Sequence, residues 1–281
     1  MYDKEMLVYP TLATIANLFV LIIAYYYFRA IGILDANSVL NYTNVQWISG
    51  AGIALATMYA AHFIYSFFEC ALVASAIKRL RGDNPTVGYG LGLAANRMPQ
   101  IAGWSLYSTL FGILVSLLKS FFKNRWAQKA VGGLAETTWN VVTVFVLPLV
   151  VVENMGPTRA MKQSVKLVKQ KWGEAATLEL GFGTLCSLAA VPIAFLFILS
   201  GFLQQSNSEL ALTLMILGVA SGAFLGLIFT ALNGISKAVL YNFAVGGNLP
   251  EEIHNSTLNK TVVCKEDHGS SAQGHIHTNK Y

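Results

Sequence analysis

Six stretches of this chain are apolar for about the length of a membrane span, and most of the charge lies between them. They are Val8–Phe28, Gly52–Ala76, Ile101–Leu118, Val131–Val152, Ala175–Leu203 and Leu210–Ala238. A helix rises about 1.5 Å per residue, so roughly 20 apolar residues cross about 30 Å of hydrocarbon. Every stretch is near or above that length, and Ile101–Leu118 is the shortest. A buried core helix of a soluble protein accounts for one such run, not for six. The pattern therefore predicts an all-α fold, a polytopic membrane helix bundle of six transmembrane helices with cytoplasmic amphipathic helices attached. The first run is not read as a cleaved signal peptide, because Tyr25-Tyr26-Tyr27-Phe28-Arg29 ends it in place of a small-residue cleavage site. That cluster suits the aromatic belt at a membrane surface.

The pattern changes most abruptly after Val152. Glu153-Asn154-Met155-Gly156-Pro157 follows, and then a basic segment, Thr158 to Glu174. Gly156-Pro157 is expected to end the fourth span, and Pro157 suits the first turn of a new helix, where no N–H is needed. In the new helix Met161, Val165, Val168 and Trp172 recur three or four residues apart and share one face. Arg159, Lys162, Lys166 and Lys169 surround that face. Two readings stay open for this membrane-surface helix, and they are compatible. It lies in the headgroup layer with its lysines snorkelling outward, or its apolar face packs on the ends of the spans.

Charge adds an orientation. Lys and Arg mark cytoplasmic loops. Lys78, Arg79, Arg81 and Arg97 follow the second span, and the basic helix follows the fourth. The segments Asp35–Gln46 and Gln204–Glu209 hold neither Lys nor Arg. Both termini are thereby expected in the cytoplasm, as a multi-pass protein of the cell (inner) membrane. The segment Lys119 to Lys129, with its four cations, falls on the outer side and runs against the rule. The net charge of +5 sits beside the spans, where anionic lipid headgroups meet it, so the expected partners are the bilayer and those headgroups, not nucleic acid. Residues 1–247 form one membrane domain. Residues 248–281 are polar, lack apolar periodicity and read as a disordered cytoplasmic tail. Asn41-Tyr42-Thr43 matches a glycosylation triplet, a pattern common by chance.

Chemistry must come from polar groups inside the spans, since each ionisable residue there costs about 2.5–3.5 kcal/mol on insertion scales. His62, Ser66 and Glu69 line one face of the second span, with Glu69 roughly 13 Å from Lys78 along the helix. Such a line can relay protons or bind a cation; the plainer reading is a carboxyl bonded to a neighbouring helix. Glu136, Asn140 and Thr143 form a second polar line on the fourth span. Glu179 and Lys237 lie toward the inner ends of the last two spans and are matched as a structural ion pair. Gly218, Gly222 and Gly226 recur every fourth residue and suit close helix packing, within the chain or with a second copy. Cys264, His268, His275 and His277 are chemically apt metal ligands, but their spacing matches no closed zinc site, and neither metal nor cofactor is expected.

The blocks Asp3–Pro10, Ala76–Gly82, Trp139–Pro148 and Glu153–Pro157, with Ser164 and Trp172-Gly173-Glu174, resemble an uncharacterised family of bacterial and archaeal six-span membrane proteins. More remotely the chain is similar to the membrane domains that accompany some glycerophosphodiester phosphodiesterases, without their catalytic barrel. The resemblance implies an integral inner-membrane protein with cytoplasmic termini and carries no catalytic residues. The leading expectation is a non-enzymatic membrane component: transport-associated, scaffolding or lipid-interacting, alone, as a homo-oligomer or with a membrane partner protein. The alternative is a small-solute or ion transporter or channel using Glu69, His62 and Ser66.

Overall fold

The computed structural model of the chain describes residues 4–33, 43–170 and 172–246. The glycosylation triplet at Asn41, the tail with Cys264 and its histidines, and the side chains of Trp172 and Glu179 lie outside the described residues. After a short 3-10 turn, Lys4–Leu7, the helices are α1 (Val8–Ala30), α2 (Asn44–Leu80), α3 (Val87–Ala95), α4 (Met98–Ser120), α5 (Arg125–Thr143), α6 (Val146–Glu153), α7 (Pro157–Gln170), α8 (Trp172–Leu203) and α9 (Ser208–Ala244). Among the described residues all regular structure is helical, and six helical stretches are long and apolar enough to cross a membrane. They match the six expected spans, with the fourth made of α5 and α6 together.

Capping residues explain where several helices start. The Thr43 hydroxyl accepts from the backbone N–H of Gln46, and the Gln46 side chain accepts from the N–H of Thr43, so two orphan donors of α2 are satisfied. Asn124 opens α5 and Asn207 opens α9 through their side-chain oxygens. The helices α2 and α9 each run 37 residues, or roughly 55 Å, well beyond a bilayer's hydrocarbon core.

The fourth span is broken, which the apolar run did not announce. Pro148 lacks an N–H, and its ring crowds the carbonyl four residues back, at Val144. The helix accordingly stops at Thr143 and restarts at Val146. Ser164 of α7 fills the gap: its hydroxyl donates to the Val142 carbonyl (2.6 Å) and accepts from the Phe145 N–H (3.3 Å). The end of α6 also differs from expectation. Asn154, in the left-handed conformation at φ 55°, terminates it in place of Gly156. Pro157 does begin α7, seated against Gly103 of α4.

The bundle is tight at one end and splayed at the other. At the end that carries Lys78, Arg79, Arg81 and α7, here called the basic end, α2 is buried continuously from Cys70 to Ile77 and α6 from Val146 to Val151. A helix apolar all round belongs at the centre of its neighbours, and α6 sits there. Apolar attraction between helices is weak in lipid, so close approach matters more. Two glycines permit it. A Cβ on Gly234 of α9 would strike Leu72 of α2. One on Gly90 of α3 would lie 2.5 Å from both the Ala71 carbonyl and the Tyr9 hydroxyl, where Tyr9 and Ser75 share a 2.6 Å hydrogen bond. Toward the opposite end α1, α2, α4 and α5 expose most of their outer turns, and α8 packs mainly on α9.

Two outcomes follow from this packing. Gly90→Ala lowers stability by about 1–3 kcal/mol through overpacking, seen as a lower unfolding midpoint in detergent, whereas Gly92→Ala, with open space at its Cβ, does not. Ser164→Ala strands the buried Phe145 N–H and the partly buried Val142 carbonyl at about 1–3 kcal/mol, and hydrogen exchange across residues 141–148 speeds up relative to the wild-type protein; unchanged exchange would show that the break holds without Ser164.

Candidate functional site

Because the helices converge only at the basic end, a cavity of about 580 Å³ opens between α1, α2, α4, α5 and α9. Its α2 wall carries His62, Ser66 and Glu69, the three residues expected to share a face. The α5 wall carries Glu136, Asn140 and Thr143, so the two polar lines of the sequence face one space. Along α4 the lining runs from Trp104 to Lys119, roughly 22 Å of helix. Val144 and Leu147, beside the break in the fourth span, are part of the wall and are themselves buried.

The main surprise is the partner of Glu69. Lys237 of α9 reaches it at 2.8 Å, with the Glu69 side chain 3% exposed and that of Lys237 15% exposed. The sequence places Glu69 with His62 and Ser66; the match of Lys237 with Glu179 lies outside the described residues. The pair forms because α9 crosses α2 at Gly234 and Leu72, one turn from each charge, and the missing Cβ lets the backbones approach. Removing one member of a buried pair typically costs about 3–5 kcal/mol, because the other charge is left uncompensated. His62 lines the same cavity, with Nδ1 3.0 Å from the Met58 carbonyl. A ring with its proton on Nδ1 donates there and presents Nε2 as an acceptor.

A second ion pair lies at the far end. Lys119 of α4 and Glu136 of α5 lie 2.7 Å apart, both considerably more exposed than the inner pair. Lys119 passes over Gly132, where any Cβ would collide with its side chain. One of the four cations that ran against the charge rule is thus neutralised within the hairpin. Between the pairs, Trp139 is sandwiched, with Phe111 at 3.9 Å and Trp104 at 5.7 Å between ring centroids and all three rings nearly parallel.

Several lining residues were missed from the sequence: Asn17 of α1, Asn233 of α9 and Lys119 as a wall residue. An asparagine in mid-span was a usable signal for the first two. The Asn17 side-chain oxygen is buried and has no hydrogen-bond partner among the described residues. An adjoining cavity of about 500 Å³ shares Tyr65, Asn140 and Asn233 with the first and is walled by α8 from Leu180 to Ser187 and by Phe229 and Thr230 of α9. Among the described residues no three of His, Cys, Asp and Glu gather at metal-binding distance.

The remaining expected sites fall elsewhere. On α7 the buried stripe is Ala160, Ser164, Leu167 and Val168, one residue round from the expected Met161–Val165–Val168 line, and it packs under the bundle. Arg159, Lys162, Lys166 and Lys169 are exposed on the other side. Glu153 accepts a 2.6 Å hydrogen bond from Tyr241. Of the glycine series, Gly218 faces Phe197 and Gly222 faces Ile193, both on α8, while Gly226 meets nothing within 4 Å.

No curated protein and no solved structure matches the chain, so the remote likeness to phosphodiesterase membrane domains has no support. A family model does match, over residues 50–250, from the first turns of α2 to just past α9, taking in Glu69, the broken fourth span, Ser164 and Lys237. The chain therefore belongs to DUF6159, a family of unknown function.

Proposed function

We propose that the protein is a multi-pass integral membrane protein that binds a small polar solute in this cavity and passes it across the bilayer. The observation that carries the reading is the Glu69–Lys237 pair, set with His62 and Ser66 on the wall of a 580 Å³ space. Charges inside a membrane domain are costly and face cavities or pathways when they occur. The size falls in the range of small-molecule sites, about 300–1,000 Å³. The broken fourth span adds to it: discontinuous helices lining a central site are how many transporters change access, and here Val144 and Leu147, beside the break, line the cavity. In this reading the basic end is cytoplasmic, in keeping with the charge rule. The cavity is then approached from the outer side past Lys119 and Glu136.

Two measurements test this. In a background of Cys70→Ala, Cys186→Ser and Cys264→Ser, single cysteines at Lys123 and Asn140 are exposed to an impermeant maleimide added outside intact cells. Lys123→Cys reports the side and Asn140→Cys reports water in the cavity; both label. Labelling of Lys123→Cys only from the cytoplasmic face would reverse the orientation, and a silent Asn140→Cys beside a labelled Lys123→Cys would mean a dry, closed bundle. In proteoliposomes screened with radiolabelled small zwitterions, anions and cations, Glu69→Gln lowers the flux of any transported solute at least tenfold. Flux unchanged by Glu69→Gln rules out a route through this pair.

A further inference from the structure

A smaller cavity, of about 320 Å³, lies at the basic end between α2, α3 and α6 and shares no lining residue with the larger one. One face of α2 forms its wall: Ala74, Ile77 and Arg81 recur three or four residues apart, with Lys78 alongside. Ala74 and Ile77 are buried, Lys78 is half-buried and Arg81 is exposed. The wall therefore passes from dry and apolar to cationic within about two turns. Val151 of α6, fully buried, and Leu93 of α3 complete the apolar floor. Gly82, at φ 94°, turns the chain back at the mouth. The Thr86 hydroxyl then starts α3 by accepting from the Tyr89 N–H. This sets Tyr89 beside Lys78, whose Nζ lies 4.1 Å from the ring centroid and is held over the ring face.

The titratable groups on the lining are Lys78, Arg81, Asp83 and Tyr89. Arg79 donates to the Asn84 side chain and Glu153 accepts from Tyr241, and neither lines this cavity. Among the described residues Lys78 and Arg81 enter no ion pair. Two cations against one acid leave the mouth positive. A positive mouth over an apolar floor suits an anionic group attached to a hydrocarbon body. The Arg81 guanidinium can meet two phosphate oxygens at once, Lys78 adds a point charge, and the Tyr89 hydroxyl can donate. Tyrosine is also enriched at headgroup depth, and basic pockets between helices at the cytoplasmic side are where anionic headgroups bind. We infer that this cavity is a binding site for an anionic phospholipid, its phosphate on Lys78 and Arg81 and the first carbons of its chains against Val151 and Leu93. The inference rests on the membrane reading above and not on the passage of a solute.

The rival is a diffuse attraction of anionic lipid to every cation of the basic end, α7 included. The full chain is reconstituted in nanodiscs of equal phosphatidylglycerol and phosphatidylcholine, released, and weighed by native mass spectrometry. Phosphatidylglycerol is retained over phosphatidylcholine by roughly tenfold, the order expected of two cations at a membrane surface. Lys78→Gln with Arg81→Gln abolishes the preference. Lys162→Gln with Lys166→Gln, on the exposed face of α7, removes as much charge and leaves the preference in place. Asp83→Asn, on an exposed turn, raises retention and tests the site without disturbing the buried wall. Equimolar glycerophosphoglycerol, the headgroup without its chains, does not displace the lipid. Equal retention of the two lipids, equal losses from the two double variants, no gain from Asp83→Asn, or displacement by the chain-free headgroup each overturns the assignment. A chain that stays out of the nanodiscs overturns the membrane reading and this site with it; one that enters them and shows no preference overturns the site alone.

Discussion

A glutamate and a lysine 2.8 Å apart, well inside their helices, constrain how this bundle is assembled. Each charge would be prohibitive alone in hydrocarbon, so α2 and α9 must meet in one register. That register is possible because Gly234 removes the side chain that would hold the helices apart. Once α9 is fixed against α2, the basic end closes around α6, and the buried apolar contacts concentrate there. Cavity and ion pair thus have a common origin: the pair sits where convergence stops.

The same rule, that polar groups find partners within the protein, governs the rest of the basic end. Pro148 interrupts the fourth span, and the freed groups around it are met by a serine from another helix. This ties α7 into the wall of the bundle, although its composition suits a membrane surface. Its cationic face stays outward while Ala160, Ser164 and Val168 are fully or almost fully buried. The packing reading of α7 holds for its buried face. Tyr9 and Ser75 close the contact between α1 and α2 beneath α3 in the same manner.

The six apolar spans, the basic helix and the two polar lines were all legible in the linear chain. They depend on hydropathy, on the 3.6-residue period and on charge, which are local properties. His62, Ser66 and Glu69 share a helix face, and that geometry holds whatever surrounds it. Even the stop before α7 was recognisable, displaced by two residues because asparagine adopts the left-handed conformation almost as glycine does.

Partnership was not legible. Lys237 lies 168 residues from Glu69, and no periodicity relates them. The crossing of α9 over α2 at Gly234 and Leu72 brings Glu69 to the lysine. The meeting of the two polar lines across one cavity, the aromatic stack of Trp104, Trp139 and Phe111, and the seat of Ser164 in a broken span likewise depend on which faces the helices turn to one another. The sequence by itself determined that this chain forms long apolar helices carrying a few costly polar groups, because burial of a helix in lipid is decided residue by residue. The tertiary structure alone decided which of those groups share a space, because that depends on where backbones can approach, and approach is set by the shapes of residues far apart in the chain.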